Sequence, residues 1–379
     1  MNRVSVITCK DYDEVLLRKK INKLFDLLGG LDSYIKPGQR VLLKVNLLME
    51  KPPEAMVTTH PAVVKVIAEM VREAGAHPII GDSPGGPFTR VLLERAYRKS
   101  GLARVAEETG AELNFNLEQV TVPFDGVINK SFVLGKYIKE ADLIINIAKL
   151  KTHGLTMMTG AVKNLFGSIP GLLKAEYHLR MPDLTDFSNM LVDLSLCVNP
   201  VLNVIDGVWG MEGEGPSAGI RRNFGYLLAS PSPHALDVAA AHILGIMPEH
   251  RAPIINAARE RGLPSSLEEI TLLGEPLIPA EKTKIPPPVR FSNLLDRRLP
   301  GPIARTLSYL LRPRPVFISE LCVGCGDCYR SCPPQVVNMR NKKAEVSLDG
   351  CIRCFCCQEL CQYQAVKIKR PLLGRVLTR

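Results

Sequence analysis

Long apolar runs are missing from this 379-residue chain: no stretch approaches about eighteen uninterrupted apolar residues, so no transmembrane helix is expected. Aromatic residues are also scarce, 6% of the total with a single Trp, which leaves little of the stacking surface that single-stranded nucleic acid requires. The 29 Gly and 29 Pro follow no period, which excludes a collagen-like chain. The opening MNRVSVITCKDYDE has too short an apolar run for a secretory signal and turns acidic at once, so a cytoplasmic home is expected. Net charge is absent from residues 1–289, where 32 basic residues face 32 acidic ones. What is present is 46% hydrophobic and 23% charged residues, a composition able to bury a full core and too apolar for disorder. The length suits two ordinary domains. The net charge of +10 falls entirely within residues 290–379, with 16 Lys and Arg against 6 Asp and Glu. Such a basic segment points to an acidic partner; nucleic acid is the weaker choice because no aromatic pattern accompanies the charge.

Nine of the eleven cysteines lie between Cys322 and Cys361. Without a secretory signal, metal binding outranks a disulfide framework. Cys322-x2-Cys325-x2-Cys328-x3-Cys332-Pro333 has the spacing of a bacterial ferredoxin run, and Cys351-x2-Cys354-x2-Cys357-x3-Cys361 repeats it 29 residues later. In that pattern three thiolates of one run and the last thiolate of the other hold each cubane. The expected sets are Cys322, Cys325, Cys328 and Cys361 for one [4Fe–4S] cluster, and Cys332, Cys351, Cys354 and Cys357 for the second. Paired CxxC arms, the usual zinc arrangement, are not what these runs offer. Gln362 stands where a second proline is usual, which loosens the turn without removing a ligand. Cys356 is an extra thiol, expected to be packed beside the ligands. VVNMRNKKAEVS reads as a hairpin turning near Asn341.

Strands and helices alternate through the rest of the chain. RVSVITC, DEVLLRKKINKLFDLL, QRVLLKVNLL, PAVVKVIAEMVREAG and HPIIGD read as strand, helix, strand, helix, strand. DLIINIA, the helix near DLTDFSNMLVDLSLC, the strands PVLNVID and YLLAS and the helix PHALDVAAAHILG follow. Short apolar strands of this kind are covered on both faces, so the expected class is α/β, a layered and mostly parallel sheet with a C-terminal α+β ferredoxin-like two-cluster domain. The expected divisions are 1–275 for the body, 276–315 for a proline-rich basic linker and 316–370 for the cluster domain. Within the linker, FSNLLDRRL and IARTLSYLLR read as short basic amphipathic helices whose Leu faces dock on the body, with a membrane surface the weaker alternative. A GxxGxG at Gly210, Gly213 and Gly215 does not fit the dinucleotide fingerprint.

In open α/β sheets ligands bind outside the carboxyl ends of strands, and here those ends are polar. Lys44 and Asn46 end one strand, and Asp82 and Ser83 another. DLIINIA runs into Lys149, Lys151 and His153, and PVLNVI into Asp206 and a Gly- and Glu-rich loop. Lysines at this density suit a carboxylate or phosphate. Lys149, Lys151 and His153 are the candidate catalytic proton carriers, and Lys44, Asn46, Asp82, Ser83, Lys163, Asn164 and Asp206 the candidate substrate contacts. Asp206, Glu212 and Glu214 form a candidate magnesium site. Lys174 and His178 are expected on a mobile loop. Thr59-His60-Pro61 reads as a helix start whose His60 faces the same crevice. The plainer alternative is that each lysine is a solvated strand-end charge and each glycine-rich loop just a turn.

Lys44-x-Asn46, His60-Pro61, Gly81-Asp82-Ser83-Pro84, Lys149-x-Lys151-Thr152-His153, the run Gly160 to Gly167 and Asp206-Gly207 together resemble the domain of unknown function family numbered 362, here followed by a bacterial two-cluster ferredoxin domain. A more distant likeness is to the lactate racemase fold, and it carries no residue across. These readings lead to an iron–sulfur protein that takes electrons from an acidic redox partner and passes them to a small anionic substrate in the body. The alternatives are a docking protein for a partner oxidoreductase, and an isomerase-like enzyme whose clusters are structural or redox-sensing. A flavin or nickel in the body has no local motif for or against it. Oxygen-sensitive clusters suggest an anaerobic or microaerobic cell.

Overall fold

A computed structural model describes residues 2–246, 252–286 and 312–371. In the body, β1 (Arg3–Thr8), β2 (Arg40–Lys44) and β3 (His77–Gly81) alternate with α1 (Glu14–Asp26) and α2 (Pro61–Glu73), as the hydrophobic pattern predicts. Then come α3 (Arg90–Lys99), α4 (Leu102–Thr109), β4 (Glu112–Leu113), the hairpin of β5 (Gln119–Pro123) and β6 (Ser131–Gly135), and α5 (Lys136–Glu140). The long strand β7 (Leu143–His153) turns back as β8 (Met157–Thr159), followed by α6 (Ala161–Asn164), α7 (Leu173–Arg180) and α8 (Leu184–Val198). A second long strand, β9 (Leu202–Glu212), pairs with β10 (Ile220–Ser230), and α9 (Pro233–Ile243), α10 (Pro253–Arg259) and β11 (Thr271–Gly274) complete the body.

The sheet has nine strands among the described residues, ordered β11-β1-β10-β9-β7-β2-β3-β4 with β8 attached to β7. Strands β9, β7, β2, β3 and β4 pair in parallel, while β10 runs against both β9 and β1. The expected mostly parallel α/β sheet is therefore what forms. Period-two alternation sends Val41, Leu43, Ile145 and Ile147 to the face covered by α1, α2 and α4. Leu42 and Ile144 go to the face covered by α8 and α10, and Val4 and Ala148 to α9 on that same side. Helix α2 shows why the layers hold. Its Pro61 sits in the first turn, His60 Nδ1 accepts from the Ala62 N–H, and Val63, Val64, Ile67 and Val71 are all buried. Each such side chain contributes about 1.5–3 kcal/mol of transfer free energy.

Four local expectations need correction. The strand read as DLIINIA does not end there and the segment after PVLNVI is not a loop, because β7 runs to His153 and β9 to Glu212. Lys174 and His178 lie on helix α7 rather than a loop. The strand β12 (Arg314–Phe317) begins inside the segment read as linker. The two amphipathic segments lie almost wholly outside the described residues.

The C-terminal unit is small. β12 pairs with β15 (Val366–Lys369), and β13 (Val337–Arg340) pairs with β14 (Lys343–Val346). That hairpin turns at Asn341 and Lys342, both with positive φ, the signature of a two-residue type I′ turn. One-turn helices α11 (Asp327–Arg330) and α12 (Cys356–Glu359) are related by the same 29-residue offset as the cysteine runs.

Candidate functional site

A cavity of about 100 Å³ opens where the carboxyl ends of β2, β3 and β7 meet α6, α7 and the C-terminal unit. Asn46, Asp82, Ser83, Lys151, His153, Lys163 and Asn164, all expected from the sequence, line it. Lys174 and His178 also reach it from α7. Its floor is a relay of amides running into the sheet. Lys151 Nζ donates to Asn46 Oδ1 at 2.8 Å, Asn46 Nδ2 to Asn164 Oδ1 at 2.8 Å, and Asn164 Nδ2 to Asn146 Oδ1 at 2.8 Å. Asn146 Nδ2 in turn donates to Asn203 Oδ1 at 2.9 Å. Asn146 and Asn203 are fully buried partners across β7 and β9. Sequence reasoning missed both, although an Asn inside DLIINIA and another inside PVLNVID was a visible signal.

Cationic and imidazole groups crowd the cavity. Burial, with the charges of Lys149 and Lys163 added, brings the Lys151 ammonium down to about 7. Burial likewise lowers Lys174 to about 7, where its Nζ donates to Ser83 Oγ at 2.9 Å and to the Pro84 carbonyl at 3.1 Å. Lys163 is lowered as well by burial, and its ammonium stands 5.5 Å from the centre of the Phe166 ring. His178 stacks on Phe187 at 4.3 Å, and burial takes it to about 3. His153, fully enclosed, is held near about 4 by burial and by Lys163. Its Nδ1 accepts from the N–H groups of Leu155 at 3.0 Å and Thr156 at 3.4 Å, so the ring proton sits on Nε2.

The carboxylate facing this array comes from the other unit. Glu359, on α12, brings Oε1 to 3.1 Å from His153 Nε2. The approach is off the N–H axis, so the pair is close without being a good hydrogen bond, and Nε2 stays without an in-line acceptor. Burial pushes the Glu359 carboxyl up, but His153, Lys163 and His178 outweigh it and hold it near about 2. Cys356, Leu360 and Ser331 join Glu359 in the wall. None of these four was singled out as a wall residue from the sequence. The repeat did hold the signal for Glu359, since its equivalent at the 29-residue offset is Arg330, a reversal of charge.

Four expected site residues, Lys44, Lys149, Asp206 and His60, do not face the cavity. Lys44 forms a buried pair with Asp82 at 2.7 Å, behind the wall. Lys149 pairs with Asp206 at 2.7 Å and with the Tyr12 hydroxyl at 2.9 Å. The register with β9 jumps between Lys149↔Asp206 and Lys151↔Met211, and it separates these two lysines although only one residue lies between them. His60 belongs with Asp206 too: its N–H donates to Asp206 at 3.0 Å and its ring stacks on Tyr12 at 3.5 Å. Nor do Asp206, Glu212 and Glu214 form a cation site. Asp206 is taken by Lys149, Glu212 by Arg222 at 2.7 Å, and Glu214 by Arg370.

The C-terminal unit is seated on the cavity mouth by directed contacts. Gln358 Nε2 donates to the Glu214 carbonyl at 3.0 Å, Ser217 Oγ to the Glu359 carbonyl at 2.7 Å, and Lys51 Nζ to the Gln362 carbonyl at 2.8 Å. Leu360 packs against an apolar nest of Met49, Met56, Val57 and Met211. None of the eleven cysteines is in a disulfide. Cys332, Cys351, Cys354 and Cys357 line one small cavity of about 20 Å³. The Cys328 thiol is raised to about 11 by burial and by the neighbouring Cys325, Cys361 and Cys322. The Ala344 N–H donates to Cys322 Sγ at 3.4 Å and the Ala365 N–H to Cys361 Sγ at 3.2 Å. Soft thiols grouped in this way, with backbone N–H donors on sulfur, fit an iron–sulfur centre. Cys356 is buried against Cys354 and reaches the large cavity, so it is packed beside the expected ligands.

Comparison with known proteins agrees with this division. Residues 41–242 match the family described as Domain of unknown function (DUF362), and residues 314–362 match a 4Fe-4S dicluster domain. A thylakoid-associated protein of Synechocystis sp. is 37% identical over 278 residues, covering 71% of this chain and 82% of that one. Among solved structures, the lactate racemase apoprotein from Thermoanaerobacterium thermosaccharolyticum aligns with a TM-score of 0.39 at 11% identity, over 64% of this chain. A protein from Thermotoga maritima aligns with a TM-score of 0.34 at 13% identity, over 57% of this chain. This chain spans 56% of the length of each of these two structures. Among the described residues no helix is long and apolar enough to cross a membrane. The chain is an iron–sulfur protein and belongs to the DUF362 family, carrying a 4Fe-4S dicluster domain after the family body.

Proposed function

We propose that this protein is an oxidoreductase that reduces a small anion held in the strand-end cavity, with electrons delivered singly by an acidic, low-potential carrier protein. The observation that carries this reading is that Cys356, Glu359 and Leu360, within or beside the second cysteine run, form one wall of a cavity whose other walls supply Lys151, His153, Lys163, Lys174 and His178. We assign two [4Fe–4S] clusters, one held by Cys322, Cys325, Cys328 and Cys361 and the other by Cys332, Cys351, Cys354 and Cys357. When bound, such clusters supply one-electron chemistry at low potential. Lys163 and Lys174 hold the anion. Lys151, poised near neutral pH, gives up a proton on its buried Nζ. Reduction of one carbonyl or carbon–carbon double bond takes two electrons, both from the carrier, and two protons, for which Lys151 and Lys174 are the sources. The carrier docks at the first cysteine run, where Cys325 is exposed beside Leu321, Val323 and Tyr329, on a C-terminal unit whose residues 312–371 carry ten Lys and Arg against five Asp and Glu. Oxygen-sensitive clusters suit the cytoplasm of an anaerobic or microaerobic cell.

The test is anaerobic purification with iron and sulfide analysis, then turnover of a panel of small carboxylates by the chemically reduced protein. About eight iron and eight sulfide per chain are expected from two four-iron motifs. Four iron or fewer rejects the two-cluster assignment. Full-rate turnover by the iron-free chain rejects the reductive role.

A further inference from the structure

Asp82 and Glu359 are the acidic residues in the cavity wall. Asp82 is consumed by Lys44, and its oxygens also accept from the N–H groups of Leu47 and Ser83. Glu359 is different in origin and in fit. It enters from the C-terminal unit on a turn pinned to the body on both sides, by Gln358 and by Leu360. Its carboxylate stops 3.1 Å from His153 Nε2, off the donor axis, so a fully buried donor with a fixed proton has a carboxylate at hand but no in-line acceptor. A ligand free of the chain can take the aligned position that the tether denies to Glu359. The first cysteine run carries Arg330 at the equivalent place, where its partners among the described residues are Asp327 and the Cys325 carbonyl. The acid therefore belongs to the copy that meets the body.

We propose that Glu359 is a tethered occupant of a carboxylate position, and that the cognate ligand of the cavity is a small carboxylate which displaces it from His153. This rests on the reading of the cavity as an anion site. Beyond its Cα, a Glu side chain has the form of propionate, so the vacated position takes a carboxylate on a short aliphatic arm. Displacement moves a side chain that lies between Cys357 and Cys361, so ligand entry is felt in the cysteine turn itself.

The experiment is calorimetric titration of propionate, with inorganic phosphate in parallel, into anaerobic iron-loaded full-length protein and its Glu359→Ala and Glu359→Gln variants. Iron content and visible absorbance confirm that each variant remains loaded. Glu359→Ala is expected to bind propionate at least ten-fold tighter than the unaltered protein, about 1.4 kcal/mol, with a smaller gain for phosphate. Glu359→Gln, which keeps the shape and loses the charge, is expected to gain about three-fold, and it carries the test if the Ala variant loses iron. Equal affinities across the three proteins overturn the proposal. If that equal binding is abolished by Lys163→Met, the cavity remains an anion site and only the tethered role of Glu359 falls. If no protein binds either anion, both readings fall together.

Discussion

A methyl group on Gly167 would lie 2.0 Å from Asp82 Oδ1 and 2.6 Å from Lys44 Nζ, so this glycine exists to let a buried ion pair close. Gly167→Ala is expected to cost about 3–5 kcal/mol, the usual penalty for breaking a buried pair, and urea unfolding measures it. A loss below about 1 kcal/mol would show that the pair tolerates separation. Lys149 and Asp206 make a similar pair, and they separate two roles that one sequence window could not. Lys149→Met should lose about 3–5 kcal/mol by stranding Asp206, and Lys149→Met with Asp206→Leu should recover most of it. Full stability with lost turnover in the single variant would instead return Lys149 to the proton carriers. Lys151 and Lys174 set the pH response of the cavity. Both are lowered to about 7, so each is increasingly neutral above that pH, and the charge that attracts an anion is lost as pH rises. Propionate binding to Glu359→Ala should therefore weaken above pH 7, by up to about ten-fold per pH unit for each lysine involved. An affinity flat between pH 6 and pH 9 contradicts this.

At the scale of elements, helix α6 has four residues and cannot stand on its own hydrogen bonds. Asp237 on α9 holds it by accepting from the Ala161 N–H at 2.5 Å and the Val162 N–H at 3.2 Å. Burial raises this carboxyl to about 7, only partly offset by the two N–H groups. Its folded pKa lies above the unfolded one of 3.8, so its contribution is full below about pH 4 and declines as pH rises to about 7. The shift corresponds to about 4 kcal/mol as an upper bound. Asp237→Asn keeps an acceptor for α6 and removes the charge, so its stability curve should lose this slope; an unchanged slope places the titration elsewhere. The sequence revealed α6 only as a stretch too polar for a core helix, because its support lies more than seventy residues away. The same distance effect hid the extent of β7 and β9. Lys149, Lys151 and His153 looked like a strand end because their compensating partners, Asp206, Asn46 and Glu359, are remote in sequence. Where the chemistry is local, the reading needed no such help: cysteine spacing, the hairpin at Asn341 and the Pro61 helix start are each contained in one window.

At the scale of the molecule, the α/β body and the cysteine-rich unit were separable from sequence, but their contact was not. The closing wall comes from Glu359 and Leu360, which touch residues spread over Leu48, His153 and Met211. No periodicity encodes such a fit. The described C-terminal unit has a buried apolar core of Val337, Ala344 and Val366 with Cys328 and Cys357. A core that small does not fold on apolar burial alone, so on the proposed ligation metal loading supplies the fold. Chelation of iron should leave the body folded and uncover the cavity. Lys163 and Lys174 should then react faster with an amine-acylating reagent, read by peptide mass spectrometry, and unchanged labelling would show that the wall stands without iron. The order of the chain adds a consequence. The body leaves the ribosome before the segment that covers its lysine-lined hollow, and on the proposed ligation that segment has to be mineralised before it can sit. On the proposed ligation and anion site, a cell short of iron would accumulate an uncapped form of this protein, a scavenger of small anions rather than a closed vessel, and nutrient status would be written into what enters.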